Sequence, residues 1–464
     1  MSTTTMERPA PSPETGTPRR RSRRTAMIAM GLVLGVAIVA AGAFGLRRDD
    51  APAPAATPVV DARVSGVTGR LGSGSITETV EQLEARVEAF PNDDVALATL
   101  GIAYVDQARI TGDPTRYGRA DDVLASSLEL NDDDNFLAYA GLAAVAAARH
   151  DFQTAERHAL TGLDINPANA TLWGVLSDAQ IQLGKYEDGF QSVERMGELV
   201  PDVASITRAA YVAELTGDNQ EARRLMQRAL DDAFTGDDRA FTLFQIGEME
   251  LGGGEPNSAL GYFLDALEAS PDDISALSGK AHALGQAGQI QTATANYELL
   301  LERAPLADFM IEFGEFLEGN GETEAAQRWY DRARTQIDVD RANGVQPDAA
   351  LIFFEADHGD PQAALAQAES AVEKRPFFEL HEAHAWALYR NDRLTEAAEA
   401  IERASQLGTR DPDLHIRAAL IQHALGNDDA ARNELTTATQ INPLGIPYLT
   451  PTEARIIDEL RAQR

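Results

Sequence analysis

Apolar residues recur every three to four positions through most of this chain, in short blocks that come in pairs. The stretch from Ala170 to Pro201 displays the unit most clearly. Trp173, Leu176, Ala179 and Leu183 share one face of a first predicted helix, Phe190, Val193 and Leu199 share a face of a second, and Gly184 stands between them. Proline closes comparable blocks at Pro167, Pro201, Pro271 and Pro305, and two of the intervals are 34 residues long. A helix pair of this length buries its apolar stripe only against its neighbours, so the pattern predicts an all-α array of stacked pairs.

The array starts near Ile76. Residues 76–91 read as the second helix of a partial unit, with Leu83 and Val87 inward and Pro91 ending it. Later units set a small residue near a large one: Gly101 with Leu124, Ala143 with Ala155 and Leu163, Gly247 with Phe263, Ala281 with Tyr297 and Leu300. The small residue lets two helices cross closely, and the large one fills the space a turn away. About ten units, the first partial, fit between residues 76 and 443. Residues 444–464 follow as a C-terminal cap, in which Thr450-Pro451-Thr452-Glu453 forms a capping box with proline at the first helical position.

The N-terminus breaks the pattern. Residues 1–25 hold Pro, Ser, Thr and an Arg cluster without apolar periodicity, and are expected to be disordered. Residues 26–46, AMIAMGLVLGVAIVAAGAFGL, carry no charge, and as a helix of about 31 Å would span a bilayer core. Arg19, Arg20, Arg21, Arg23 and Arg24 precede the run, which predicts a cytoplasmic N-terminus and a repeat body on the other side. A cleavable signal, suggested by Ala41-Gly42-Ala43, is the alternative, and it too exports the body. Residues 47–75, rich in Ala, Pro, Asp and Gly, read as a flexible linker.

Charge sharpens the picture. The formal net charge is −33 over 464 residues; residues 1–48 hold eight Arg and two Glu, which leaves the rest at 32 basic against 71 acidic. So acidic a body repels nucleic acid. It fits either a general compositional bias or attraction of a basic partner. The absence of cysteine excludes disulfides and thiolate chemistry.

The stretches LATLGIAYVDQARITGDPTRY, WGVLSDAQIQLGKYEDGF, FFEADHGDP and HAWALYRNDRLTEAAEAIERASQLGTRD resemble those of bacterial tetratricopeptide-repeat proteins with one N-terminal membrane segment. Ser177 and Tyr211 depart from the pattern, standing where Gly or Ala is usual. The resemblance covers roughly residues 76–443. It implies a right-handed α-solenoid that binds other proteins and has no catalytic activity.

Candidate chemistry is sparse. His381 and His384, at i and i+3, are one residue short of the spacing of a zinc-protease helix and read as packing. The acidic turns Asn131-Asp132-Asp133-Asp134 and Pro271-Asp272-Asp273 lack calcium-loop spacing and read as helix caps. Gly184-Lys185 and Gly279-Lys280 lack the rest of a phosphate loop. No cofactor is expected.

That leaves the concave groove. The expected groove positions are Tyr211, Phe241, Phe244, Glu248, His282, Glu315, Phe353, Trp386, Tyr389 and Arg390, with Glu318 beside them. Aromatic and acidic residues dominate, so a protein or peptide segment with positive charge and apolar anchors is the expected partner. Burial of those aromatics as repeat core, in a register shifted by a residue, stays open. The predicted role is a membrane-anchored, exported scaffold for protein–protein interaction at the bacterial cell envelope. A structural or chaperone-like holder of exported proteins is the alternative.

Overall fold

The computed structural model describes residues 76–444 and 449–462. Every regular element among them is a helix. Helix α1 (Ile76–Ala89) precedes the pairs. Ten pairs follow. The first five are α2 and α3 (Asp94–Thr111, Thr115–Leu130), α4 and α5 (Phe136–Ala148, Phe152–Ile165), α6 and α7 (Ala170–Gln182, Tyr186–Leu199), α8 and α9 (Val203–Leu215, Asn219–Asp231), and α10 and α11 (Gly236–Gly252, Pro256–Ala269). Next come α12 and α13 (Ile274–Gln286, Ile290–Arg303), α14 and α15 (Ala307–Gly319, Thr323–Ala342), and α16 and α17 (Ala349–His358, Pro361–Lys374). The last pairs are α18 and α19 (Phe378–Arg390, Leu394–Ala404) and α20 and α21 (Pro412–Ala424, Asp428–Ile441), before a final α22 (Pro451–Ala462).

Local chemistry sets the ends of these helices. Asp93, Asn135, Asn169, Asp202, Asp273 and Asp348 each accept the backbone N–H three residues on, satisfying one of the orphan donors of a first turn. Asp273 caps as its sequence context predicts. After the acidic turn 131–134, the cap is the next residue, Asn135. At the far end Glu453 Oε2 accepts from Thr450 N at 2.8 Å while Thr450 Oγ1 accepts from Glu453 N, which is the capping box read from the sequence.

The core is a series of wedges. Leu124 is fully buried between Gly101 of its own unit and Gly141 of the next: a Cβ on either glycine would lie 2.4 or 2.5 Å from the leucine side chain. Phe263 sits in the same way between Gly247 and Gly279. Each unit therefore completes the core of the one before it.

The array also coils back upon itself, which the local period does not reveal. Turns of early pairs meet turns of pairs more than 190 residues later. Gln346 N donates to Arg149 O at 3.0 Å, the Tyr186 hydroxyl accepts from Phe378 N at 2.9 Å, and Thr409 Oγ1 donates to Leu215 O at 2.7 Å. Asn442 Nδ2 reaches Leu251 O, and Arg375 reaches Gln182. The offset corresponds to between five and six 34-residue units per coil.

Glycine makes this seam possible. Gly217 has φ +78°, and a Cβ there would stand 2.3 Å from the carbonyl oxygen of Gly408. Gly217→Ala is expected to cost about 1–3 kcal/mol of strain and to part the seam locally. Small-angle scattering should report a larger radius of gyration and calorimetry a lower melting temperature; no change in either would refute the contact.

Among the described residues no helix is long and apolar enough to cross a membrane. The expected membrane segment 26–46 and its flanks lie outside them.

Candidate functional site

The first helix of each pair is buried nearly all round, as in α6 and α12, whereas the second keeps an exposed face, as in α7 and α13. First helices therefore line the inside of the coil. What they bring together there is mostly carboxylate.

Glu312 on α14 is buried, and Glu214 on α8, Glu248 on α10 and Glu379 on α18 are half-buried. The inner side of the coil that these first helices face is its channel. Burial is the main force on their protons. It pushes Glu214 and Glu312 up to about 7, and Glu248 and Glu379 up to about 8. Like charges add to it: Glu312 and Glu214 act on Glu248, and Glu382, Asp411 and Asp348 act on Glu379. Groups distant in sequence face one another here. Tyr211 is driven far above its ordinary value by burial and then by Glu379, 168 residues away, and Asp413 feels Glu315 across three units.

The ten expected groove residues divide into two sets. Tyr211 and Glu248 line the channel, and Phe241 is half-buried on α10. His282 is buried beside Glu312, with Nδ1 at 3.5 Å from Oε1, and burial lowers it to about 4. Glu315 is buried and accepts from His358 Nε2 at 3.3 Å, with Glu318 next to the same ring.

The aromatics correct the expectation of an exposed groove. Phe244 packs on Phe263 with ring centroids 5.9 Å apart. Phe353 is buried beneath the Arg417 guanidinium. Trp386 is 1 % exposed, stacks on Tyr389 and donates Nε1–H to Asp357 at 2.8 Å. Arg390 is no free groove cation either: it donates to Asp357 at 2.6 Å and to Glu453 at 2.7 Å, tying the final helix to the array. A shift of one residue is visible at Ala210, which is fully buried while its neighbour Tyr211 is half-buried against the core. Ser177, by contrast, does take the crossing and satisfies its hydroxyl on Gly174 O at 2.7 Å.

Among the interior charges not read in the sequence are Arg208, Glu312 and Arg417. Each stands six positions after the residue preceding its helix, at Asp202, Leu306 and Asp411. In α4 and α12 the same position is glycine, Gly141 and Gly279. A charged residue where sister units carry glycine was the signal available.

The histidine pair on α18 gathers no ligands. His381 and His384 are half-buried with neutral-favouring surroundings, burial first and Arg403 second lowering His381 to about 4, and no group of metal-ligating side chains forms among the described residues.

Residues 355–412 match the tetratricopeptide repeat family model. No curated protein matches the chain. Solved structures aligned with it include the Cut9–Hcn1 hetero-tetramer of the APC/C, at 13% identity over 87% of this chain and 96% of that one, with a TM-score of 0.37. A tetratricopeptide repeat protein from Parabacteroides merdae aligns at 16% identity over 56% and 98%, TM-score 0.31. A monomeric mutant of IFIT1 with Gppp-AAAA aligns at 17% identity over 75% and 80%, TM-score 0.44. Residues 355–412 are thus similar to tetratricopeptide repeats, and paired helices of the same kind run along the rest of the described chain.

Proposed function

We propose that the chain is an exported scaffold, anchored in the bacterial cell membrane by residues 26–46 with its N-terminus cytoplasmic, and that its channel receives a positively charged segment of a partner protein. The observation that carries the channel reading is the clustering of Glu214, Glu248 and Glu312, from three first helices, whose charges act on one another. A basic segment entering there supplies the countercharge the interior lacks. The anchor and its orientation rest on the uncharged run and the Arg cluster before it.

The test is fluorescence anisotropy with the full-length chain in detergent, using a labelled Lys/Arg octapeptide and its Asp/Glu counterpart. The basic peptide should bind, weaken with salt, and lose about tenfold in affinity in Glu214→Gln with Glu248→Gln. Equal binding of the acidic peptide, or indifference to the double substitution, rejects the channel as the site.

A further inference from the structure

The seam that closes the coil follows a fixed rule: the turn inside each of the first five pairs meets the turn that follows one of the last five. A Cβ on Gly112, between α2 and α3, would lie 3.0 Å from Leu306, which follows α13. His150 Nδ1, between α4 and α5, stands 3.1 Å from Gln346 O, after α15. A Cβ on Gly184 would lie 2.7 Å from Pro376 O, after α17, and Thr409, after α19, donates to Leu215 O at 2.7 Å. Last, a Cβ on Gly254 would lie 2.6 Å from Asn442 Oδ1, after α21. Turns within pairs form one rim of the coil and turns between pairs the other, and in the seam one rim rests on the other.

Five turns of each kind are left over. On one rim are those inside the last five pairs, at 287–289, 320–322, 359–360, 391–393 and 425–427. On the other are those after the first five pairs, at 131–135, 166–169, 200–202, 232–235 and 270–273. The leftover turns keep the form of those that meet. Gly288, Gly321, Asp392 and Gly426 hold the same left-handed φ as Gly112, Gly184, Gly217 and Gly254. Among the described residues, however, a Cβ on Gly321 or Gly426 would meet nothing within 4 Å. The leftover turns between pairs are bare in the same way: Leu130, Val200 and Phe234, at or beside them, are 45 %, 38 % and 84 % exposed. In the seam, by contrast, Phe377 is buried and Val345 packs on the core of the first pairs.

We propose that the two leftover rims dock a second copy of the chain head to tail, the turns within pairs of one copy seating on the turns between pairs of the next, under the control of ionic strength. The seam identifies the occupant, because it is the same fit made within one chain, with five steps for the five turns left on each rim. The two rims differ, so the contact is heterologous and copies add into an open coil. Charge decides when they do. The seam's turns between pairs at 304–306, 343–347, 375–377 and 442–443 hold no acidic residue, whereas the leftover ones hold Asp132, Asp133, Asp134, Asp232 and Asp272. Glu322 and Asp392 lie on the rim that meets them. Like charges hold exposed surfaces apart until salt screens them.

Sedimentation velocity of the full-length chain in detergent, from about 0.05 to about 1 M NaCl, tests this. The chain should run as one copy at low salt and as dimers and longer species, growing with concentration, at high salt. Asp132→Asn with Asp133→Asn and Asp134→Asn should bring assembly on at about threefold lower salt. Phe234→Glu on one rim and Glu322→Trp on the other, both at exposed positions, should keep the melting temperature and each weaken assembly about tenfold. An equimolar mixture of those two variants should form dimers and stop there, because only one intact pair of rims remains. A single copy at every salt concentration overturns the proposal. So does a wild-type dimer that grows no further, or assembly indifferent to both rim substitutions, since either places the contact elsewhere.

Discussion

Arg208→Met is expected to destabilise the chain by about 3–5 kcal/mol, although methionine is apolar and fills a comparable space. Arg208 is 2 % exposed and 30 residues from its partner in sequence. Its Nε and Nη2 donate to Asp178 at 3.1 and 2.9 Å, and its Nη1 donates to Ala204 O at 3.2 Å. The guanidinium lies where Gly174 leaves room, 3.1 Å from the point a Cβ would occupy there. Burial already pushes Asp178 upward even with Arg208 beside it. Without the arginine the carboxylate must take up a proton or remain an uncompensated buried charge, and either outcome weakens the junction of α6 with α8. Removing both charges, as Arg208→Met with Asp178→Leu, should recover most of the loss, because the cost lies in the orphaned partner and not in the absence of the pair. Urea unfolding of the two variants decides the matter. A single variant no less stable than the double one would mean that the pair is not what holds the two units together.

The same pair shows where sequence reading reaches and where it ends. Helix order, the 34-residue spacing, the wedges at Gly101, Gly247 and Ala281, and the capping box at Thr450 were all legible, because each depends on residues within one unit or the next. The coil was not. Its seam joins Leu215 to Thr409 and Tyr186 to Phe378, and no periodicity of 34 residues specifies what lies five to six units away. The groove aromatics were misplaced for a more local reason. On a helix buried nearly all round, a shift of one residue exchanges the channel for the crossing with a neighbouring helix, and apolarity alone does not distinguish them. Tyr211 and Ala210 illustrate the exchange. Glu248 is half-buried on α10, where burial and the charges of Glu312 and Glu214 raise it. The acidic balance likewise resolves into positions: Asp residues cap helices at 93, 202, 273 and 348, and glutamates of the first helices turn inward.

Stability should peak at acidic pH and fall as the solution is made alkaline, the reverse of the usual behaviour of carboxylate-rich proteins. Glu214, Glu312 and Glu382 are raised to about 7, and Glu248 and Glu379 to about 8, each chiefly by burial, from an ordinary value of 4.5. A carboxyl raised in the folded state binds its proton more tightly there than in the unfolded chain. Its contribution is therefore complete below pH 4.5 and is lost as pH rises through 7 to 8. Two histidines set the other limit. His282 and His381 are lowered to about 4 by burial, so their contribution is present above pH 6.5 and is lost as pH falls through 4. Between pH 4.5 and 6.5 the five glutamates outweigh the two histidines, so the maximum lies near pH 4–4.5 and stability falls from there upward. From there to pH 8.5 the expected loss is on the order of 5 kcal/mol, since each tenfold gain in proton affinity on folding is worth about 1.4 kcal/mol and neighbouring glutamates do not add fully. Differential scanning calorimetry from pH 4 to 9 should trace this curve, and Glu248→Gln should flatten its alkaline limb. A cationic peptide seated in the channel should flatten it as well, because it replaces the protons that leave. A melting temperature that stays level or rises from pH 6 to 8.5 would show the channel carboxylates to be ionised in the folded chain, and a basic segment would then gain nothing by displacing protons from them.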